Sequence, residues 1–257
     1  MSPLSMLHPR QTPSAQVSEL QPGAWRLEIP AGLAGSYRLA QLDDYSGLPR
    51  RRFPWKPPVT LALQARARSA QMPGTWGFGL WNDPFGLGML QGGGGLRLPA
   101  LPNCAWFFFA SQENHLSLHD DLPGSGVLAA TFRSCAGNSS AYALGLLSLP
   151  LLAWQASARW LRRKAAGWVE QSAAQLVIDP LAWHRYSIAW GPGQVRFHVD
   201  ENQVLETPIT PCGRLACVLW IDNQYAAWLP DGRLCYGTLA NPAPAWVELA
   251  GITLQPC

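Results

Sequence analysis

Trp183-His184-Arg185-Tyr186-Ser187-Ile188-Ala189-Trp190-Gly191-Pro192-Gly193-Gln194-Val195-Arg196-Phe197-His198-Val199-Asp200 is the most regular stretch of the chain. Successive side chains of an extended strand point to opposite faces, so Tyr186, Ile188 and Trp190 share one side. Pro192 and Gly193 supply a turn, and Val195, Phe197 and Val199 share one side of the return. The stretch therefore predicts a β-hairpin with one apolar face. The same period of two extends outward from it. Trp25, Leu27 and Ile29 alternate with Arg26 and Glu28, and Val59, Leu61, Leu63, Ala65 and Ala67 alternate with Thr60, Gln64, Arg66 and Arg68. Further short apolar runs, 75–81, 105–110, 127–132, 215–221 and 247–254, are separated by Gly, Pro, Asn and Asp. Many short strands with turn punctuation predict an all-β sandwich or barrel.

One segment departs from that period. Between Tyr142 and Gln171, Leu147, Leu151, Trp154, Ala158 and Leu161 recur at helical spacing, which predicts a helical insertion over about 142–175. Its later half gathers Arg159, Arg162, Arg163 and Lys164. Such a face is either a solvated basic side or a contact for an anionic membrane surface or a partner protein. Residues 1–22 carry little apolar periodicity and predict a flexible leader; 23–257 then form a single domain holding the insertion.

Composition narrows the classes. The 257 residues include 13 Trp, 24 Gly and 23 Pro, with only 14% charged, which excludes a coiled coil, a helical bundle or a disordered chain. The 19 basic side chains, 17 of them Arg, against 16 acidic ones leave a net charge of +3, too small a field to draw in nucleic acid. The first residues build no apolar core of a secretory signal, so a cytoplasmic protein is expected. The longest apolar run, Leu144 to Trp154, contains Pro150 and has about half the length a bilayer span needs. Six cysteines lie scattered, which reads as buried or idle thiols. Cys212 and Cys217 lack the second pair and the histidine of a zinc site. The Gly92–Gly95 run precedes no Lys-Ser/Thr pair and so reads as a flexible loop over a binding face rather than a phosphate cradle.

Two segments resemble the concanavalin A-like lectin and glucanase superfamily, above all its family 16 glycoside hydrolases. Gly74, Trp76 and Trp81 resemble the family's Gly-x-Trp strand, and Trp183 to Asp200 is similar to its Trp-His-x-Tyr-x-Ile-x-Trp hairpin ending in Phe-x-Val-Asp. The resemblance implies a jelly-roll sandwich of two antiparallel sheets, with 246–254 as the closing strand. It also implies a Glu-x-Asp-x-x-Glu strand, because a retaining glycosidase needs two carboxyl groups about 5 to 5.5 Å apart. At that place the chain reads Ala105, Trp106, Phe107, Phe108, Phe109, Ala110, with no acid. Family 16 hydrolysis is therefore absent, or rebuilt from acids on different strands; Asp222, Asp83 and Glu113 are the candidates for a glycoside hydrolase or lyase of that kind. Glu248 stands nearest the aspartate that holds a structural calcium in many relatives.

The ligand-binding expectation rests on aromatic faces beside amides and carboxylates, a pairing suited to sugar rings and their hydroxyls. Trp76, Trp81, Asn82, Asp83 and Trp106 belong to it from the first half. Trp220, Asp222, Asn223, Gln224 and Trp228 belong to it from the second. Carbohydrate or a related small molecule is the expected ligand. The run Glu113 to Asp121 alternates Leu116 and Leu118 with polar residues and reads as an exposed edge strand. On it His115 and His119 stand about 13 Å apart, too far for one metal.

Overall fold

The structure is a computed structural model and describes residues 7–84, 97, 100–134 and 154–256. The alternating runs become β1 (His8–Gln11), β2 (Gln16–Gln21), β3 (Ala24–Ile29), β4 (Leu39–Asp43), β5 (Val59–Ala67), β6 (Thr75–Trp81), β7 (Cys104–Ala110) and β8 (Gly126–Arg133). A helix α1 (Gln155–Ala166) follows, then β9 (Glu170–Gln175), β10 (His184–Trp190), β11 (Val195–Val199), β12 (Asn202–Thr207), β13 (Ala216–Asp222), β14 (Gln224–Trp228), β15 (Leu234–Thr238) and β16 (Ala245–Pro256). Among the described residues they form two seven-stranded antiparallel sheets, ordered β1-β4-β13-β6-β7-β8-β9 and β12-β11-β10-β5-β16-β3-β2, with β14 and β15 as a separate pair. Runs of consecutive strands, β6-β7-β8-β9 and β10-β11-β12, are joined in each sheet to strands from distant parts of the chain, as in β4-β13-β6 and β5-β16-β3, the crossover pattern of a jelly-roll sandwich.

The hairpin forms as its pattern dictates. Tyr186 pairs with Val199, Ile188 with Phe197 and Trp190 with Val195, while β5 offers Leu63, Leu61 and Val59 to the same three residues. Gly191 N–H donates to Gln194 O at 2.9 Å across the turn. At the far end His184 Nδ1 meets Asp200 Oδ2 at 2.9 Å, and Asp200 Oδ1 accepts from Arg185 N–H. The apolar side packs against the first sheet: Tyr186 meets Phe78 and Phe107 edge-on, each at 5.0 Å between ring centres.

The first sheet is covered on both faces. Trp76, Phe78, Leu80, Phe107, Phe109, Leu219 and Ile221 point into the space between the sheets. Trp81, Trp106, Phe108, Phe132, Val218 and Trp220 point outward, where Tyr45 and Phe53 complete a second buried cluster. That is why β6, β7 and β13 read as continuous apolar runs and not as alternation.

Three expectations are corrected. From His8 on, the leader expected over 1–22 is two edge strands, β1 on β4 and β2 on β3; backbone pairing, not apolar patterning, holds them there. Of the helical insertion expected over 142–175, the described part is one helix, 155–166, followed by β9, whose alternation is hidden by its small and polar residues; 142–153 and the Gly92–Gly95 run lie outside the described residues. Glu113 to Asp121 is a loop and not an edge strand. It is tied to β14 by a single parallel bridge from His115 to Ala227, with His115 N–H donating to Ala226 O.

Candidate functional site

The sequence-predicted site residues fall into separate places. Trp76 and Trp81 stand five apart on β6 and therefore face opposite sides of it. Trp76 stacks on Phe109 between the sheets, with ring centres 3.4 Å apart. Trp81, Trp106 and Trp220 do gather on the outer face. Trp81 lies parallel to Trp220 at 6.2 Å, and Trp106 tilts against both. They are only 8%, 5% and 7% exposed, so they make a packed aromatic layer rather than an open stacking platform. Gly77 and Gly79 make that layer fit: a Cβ on Gly77 would stand 2.9 Å from the Trp220 ring, and one on Gly79 would stand 2.5 Å from Trp106 Cβ.

Asp222 ends β13 beside this layer. Its Oδ1 accepts from Thr75 Oγ1 at 2.7 Å and from Gln224 N–H at 3.3 Å, its Oδ2 accepts from Tyr37 Oη at 3.3 Å, and Trp220 Nε1 donates to Thr75 Oγ1 at 2.9 Å. Burial pushes the Asp222 carboxyl up to about 7, against the lowering by the Thr75, Gln224 and Tyr37 hydrogen bonds. Asp83 lies at the other end. Asp222 pairs with Thr75 while Ala216 pairs with Trp81, so the full length of β6, about 20 Å, lies between Asp222 and the end after which Asp83 follows. Two glycosidase carboxyls stand within about 9.5 Å of each other, so this pairing drops out. Asp83 is instead bound to Arg97 Nη1 at 2.6 Å, its backbone accepts from Arg50, and Asn82 bonds to the backbone of Leu101 and Asn103. Both are structural.

Asn223 is spent on backbone as well, accepting from Arg38 N–H and donating to the carbonyls of Ser36 and Leu239. Gln224 and Trp228 belong to the β14–β15 hairpin. There Trp228 O accepts from Arg162 Nε at 2.9 Å, and Arg162 also reaches Ser117 O and Asp120. Arg162 is thus buried in the body of the protein and leaves the outward basic face. Glu248, the calcium expectation, sits between Arg26 and Arg66 at 2.5 and 2.7 Å. Burial would raise its pKa, but the two guanidinium groups outweigh that and lower it. Both carboxylate oxygens of Glu248 face guanidinium groups, so it forms a two-armed salt bridge. Among the described residues no three His, Cys, Asp or Glu come together as a metal group.

A pocket of about 790 Å³ opens at one end of the sandwich, where the β5–β6 and β9–β10 connections pass from one sheet to the other. Trp76, Phe109, Met72 and Val127 form its apolar lining, and Gln71, Ser111, Gln112, Glu113, Ser125 and Gln175 its polar one. Glu113 and Trp76, separate in the sequence reading, meet here; Gln71, Gln112 and Gln175 were missed. These glutamines sit at strand ends or in loops, where no periodicity marks them, and only the crossovers between sheets bring them together.

No family model matches the chain, and no curated protein does. Solved structures match it at low identity. The alginate lyase AlyC3 in complex with dimannuronate is 9% identical over 90% of this chain and 74% of that one, with a TM-score of 0.45. The potassium-bound carbohydrate recognition domain of Emp46p is 11% identical, over 98% and 88%, with a TM-score of 0.47. A Bacillus licheniformis β-glucanase is 12% identical, over 92% and 81%, with a TM-score of 0.43. At these identities the similarity is one of backbone arrangement alone.

Proposed function

We propose that this chain is a carbohydrate-binding jelly-roll protein without family 16 hydrolase chemistry, and that the ligand enters the pocket at the end of the sandwich. One observation carries the reading. A single opening brings Trp76 and Phe109, both nearly buried, to its lining beside three carboxamides, two hydroxyls and one carboxylate. Sugars present an apolar C–H face together with a rim of hydroxyls. The carboxamides, which both donate and accept, take the hydroxyls, while the thin exposed margin of Trp76 and Phe109, 5% and 4%, adds apolar contact. The volume falls in the range of small-molecule sites, about 300 to 1,000 Å³. Calorimetry with neutral β-glucan, galactan and uronate oligosaccharides tests it. Binding by the folded wild type is expected for one of these classes, with a loss of about tenfold, or about 1.4 kcal/mol, on Gln175→Ala or Glu113→Gln. A folded wild type that binds none of the three overturns the reading.

A second reading, a glycan-cleaving enzyme with relocated acids, is favoured by Asp222. A carboxyl held near 7 is suited to proton transfer at neutral pH, and Asp222 borders the outer face of the first sheet.

A further inference from the structure

The helix α1 carries a face that neither the pocket nor the outer aromatic layer uses. Ala158 and Arg162, four apart, are buried against the body. The helix is held firmly there: Arg162 is bonded to Trp228 O, Ser117 O and Asp120, and Gly232 approaches so closely that a Cβ on it would stand 2.5 Å from Arg159 N. Ala156, Trp160, Arg163, Lys164 and Gly167 recur at i, i+4, i+7, i+8 and i+11 and are all exposed, so one continuous stripe faces outward. Trp154 and Trp168 flank it. These three tryptophans are 64%, 49% and 48% exposed, in a protein whose other indoles are mostly buried or half-buried.

The charges on this stripe have one sign. The helix contains no acidic residue, and Lys164 Nζ lies 5.7 Å from the centre of the Trp160 ring. The carboxylates nearby are already matched: Asp120 by Arg162, Glu170 by Arg133 and Asp231 by Arg233. Arg163 and Lys164 have no carboxylate partner among the described residues. A solvated basic face accounts for the cations but not for three exposed indoles, since a large aromatic surface in water is unfavourable without something to cover it. Indole rings with Lys and Arg beside them are the side-chain chemistry of the boundary between lipid headgroups and acyl chains.

We propose that the outward face of α1, with Trp160, Arg163 and Lys164, aided by the exposed Trp154 before the helix and Trp168 after it, docks the protein peripherally on an anionic phospholipid surface. Trp160 enters the headgroup region while Arg163 and Lys164 meet the phosphates. The contact is a surface one, since no helix among the described residues is long and apolar enough to cross a membrane. Its target differs from the oligosaccharide of the pocket, so either proposal can fail without the other.

Flotation of the full chain with vesicles tests it, using phosphatidylcholine alone and phosphatidylcholine containing phosphatidylserine, at low and high salt. Binding is expected with phosphatidylserine at low salt and is expected to weaken at high salt. Trp160→Ser and the double change Arg163→Glu with Lys164→Glu are each expected to lower it by about tenfold or more. Both variants alter exposed side chains, and unchanged thermal midpoints confirm that they fold. Absence of binding to anionic vesicles, or binding that either variant leaves intact, overturns the proposal. A face meant for an acidic protein gives the first of those outcomes.

Discussion

At Asp222 the chain places a carboxyl where water hardly reaches, and three donors make its burial tolerable. An asparagine there can still accept from Thr75 Oγ1 and Gln224 N–H through its oxygen, and can donate to Tyr37 Oη. Asp222→Asn is therefore expected to fold, with circular dichroism like that of the wild type. If Asp222 moves protons in glycan cleavage, the variant loses about 100-fold or more of that activity, read as reducing ends or unsaturated products released. Retained cleavage removes Asp222 from the second reading. Parity decided other single residues. Trp76 and Trp81 stand an odd number of positions apart on one strand, so no straight β6 can bring both to one lining. Arg162 and Arg163 differ in the same way on a helix: one residue turns the side chain by roughly 100°, from the body of the protein toward solvent.

At the scale of the element, β6 and α1 show how small residues and a buried cation position a face. Gly77 and Gly79 leave the outer side of β6 bare, and Trp220 and Trp106 fill it from the neighbouring strands. Gly77→Ala would put a Cβ 2.4 Å from Phe107 O as well as against the Trp220 ring. It is expected to cost about 1 to 3 kcal/mol, since the backbone oxygen cannot swing aside. Thermal unfolding should show a fall of several degrees, with near-ultraviolet circular dichroism altered where stacked indoles absorb. Of the strands that patterning did not mark, β1, β2, β9 and β12 lie at sheet edges, where half of each ladder faces water and nothing demands apolar residues, whereas β4 is buried on both faces and is interrupted by Gln41 and Asp43.

At the scale of the whole molecule, two carboxyls tie stability to pH. Burial pushes both Asp44 and Asp222 up to about 7 from 3.8, so between those values the folded protein holds protons that the unfolded chain has released. Stability falls with rising pH wherever the native state binds more protons. The native contribution of these groups is intact below about 4 and is lost progressively as pH rises through about 7. The midpoint of thermal unfolding is accordingly expected to decline from pH 5 to pH 8, by a few kcal/mol in free energy. Asp222→Asn should flatten that decline, because the amide has no proton to lose. An equally steep decline in the variant would assign the pH dependence to other groups.

Much of the sandwich follows from residue order alone. Alternation over 183–200, 59–67 and 25–29 marks strands with one covered face, since period two is a property of the extended backbone and survives any tertiary context. The lack of acids at 105–110 likewise needs no coordinates. The pocket, the second buried layer and the fates of Arg162 and Glu248 were settled only by the tertiary fold. A buried indole and a ligand-stacking indole have the same local sequence, and a cation on a helix carries no mark of whether a distant carbonyl awaits it. Those distinctions depend on which strands lie side by side, and pairings such as β13 with β6 or β5 with β16 are set by connections between distant parts of the chain that no local pattern records.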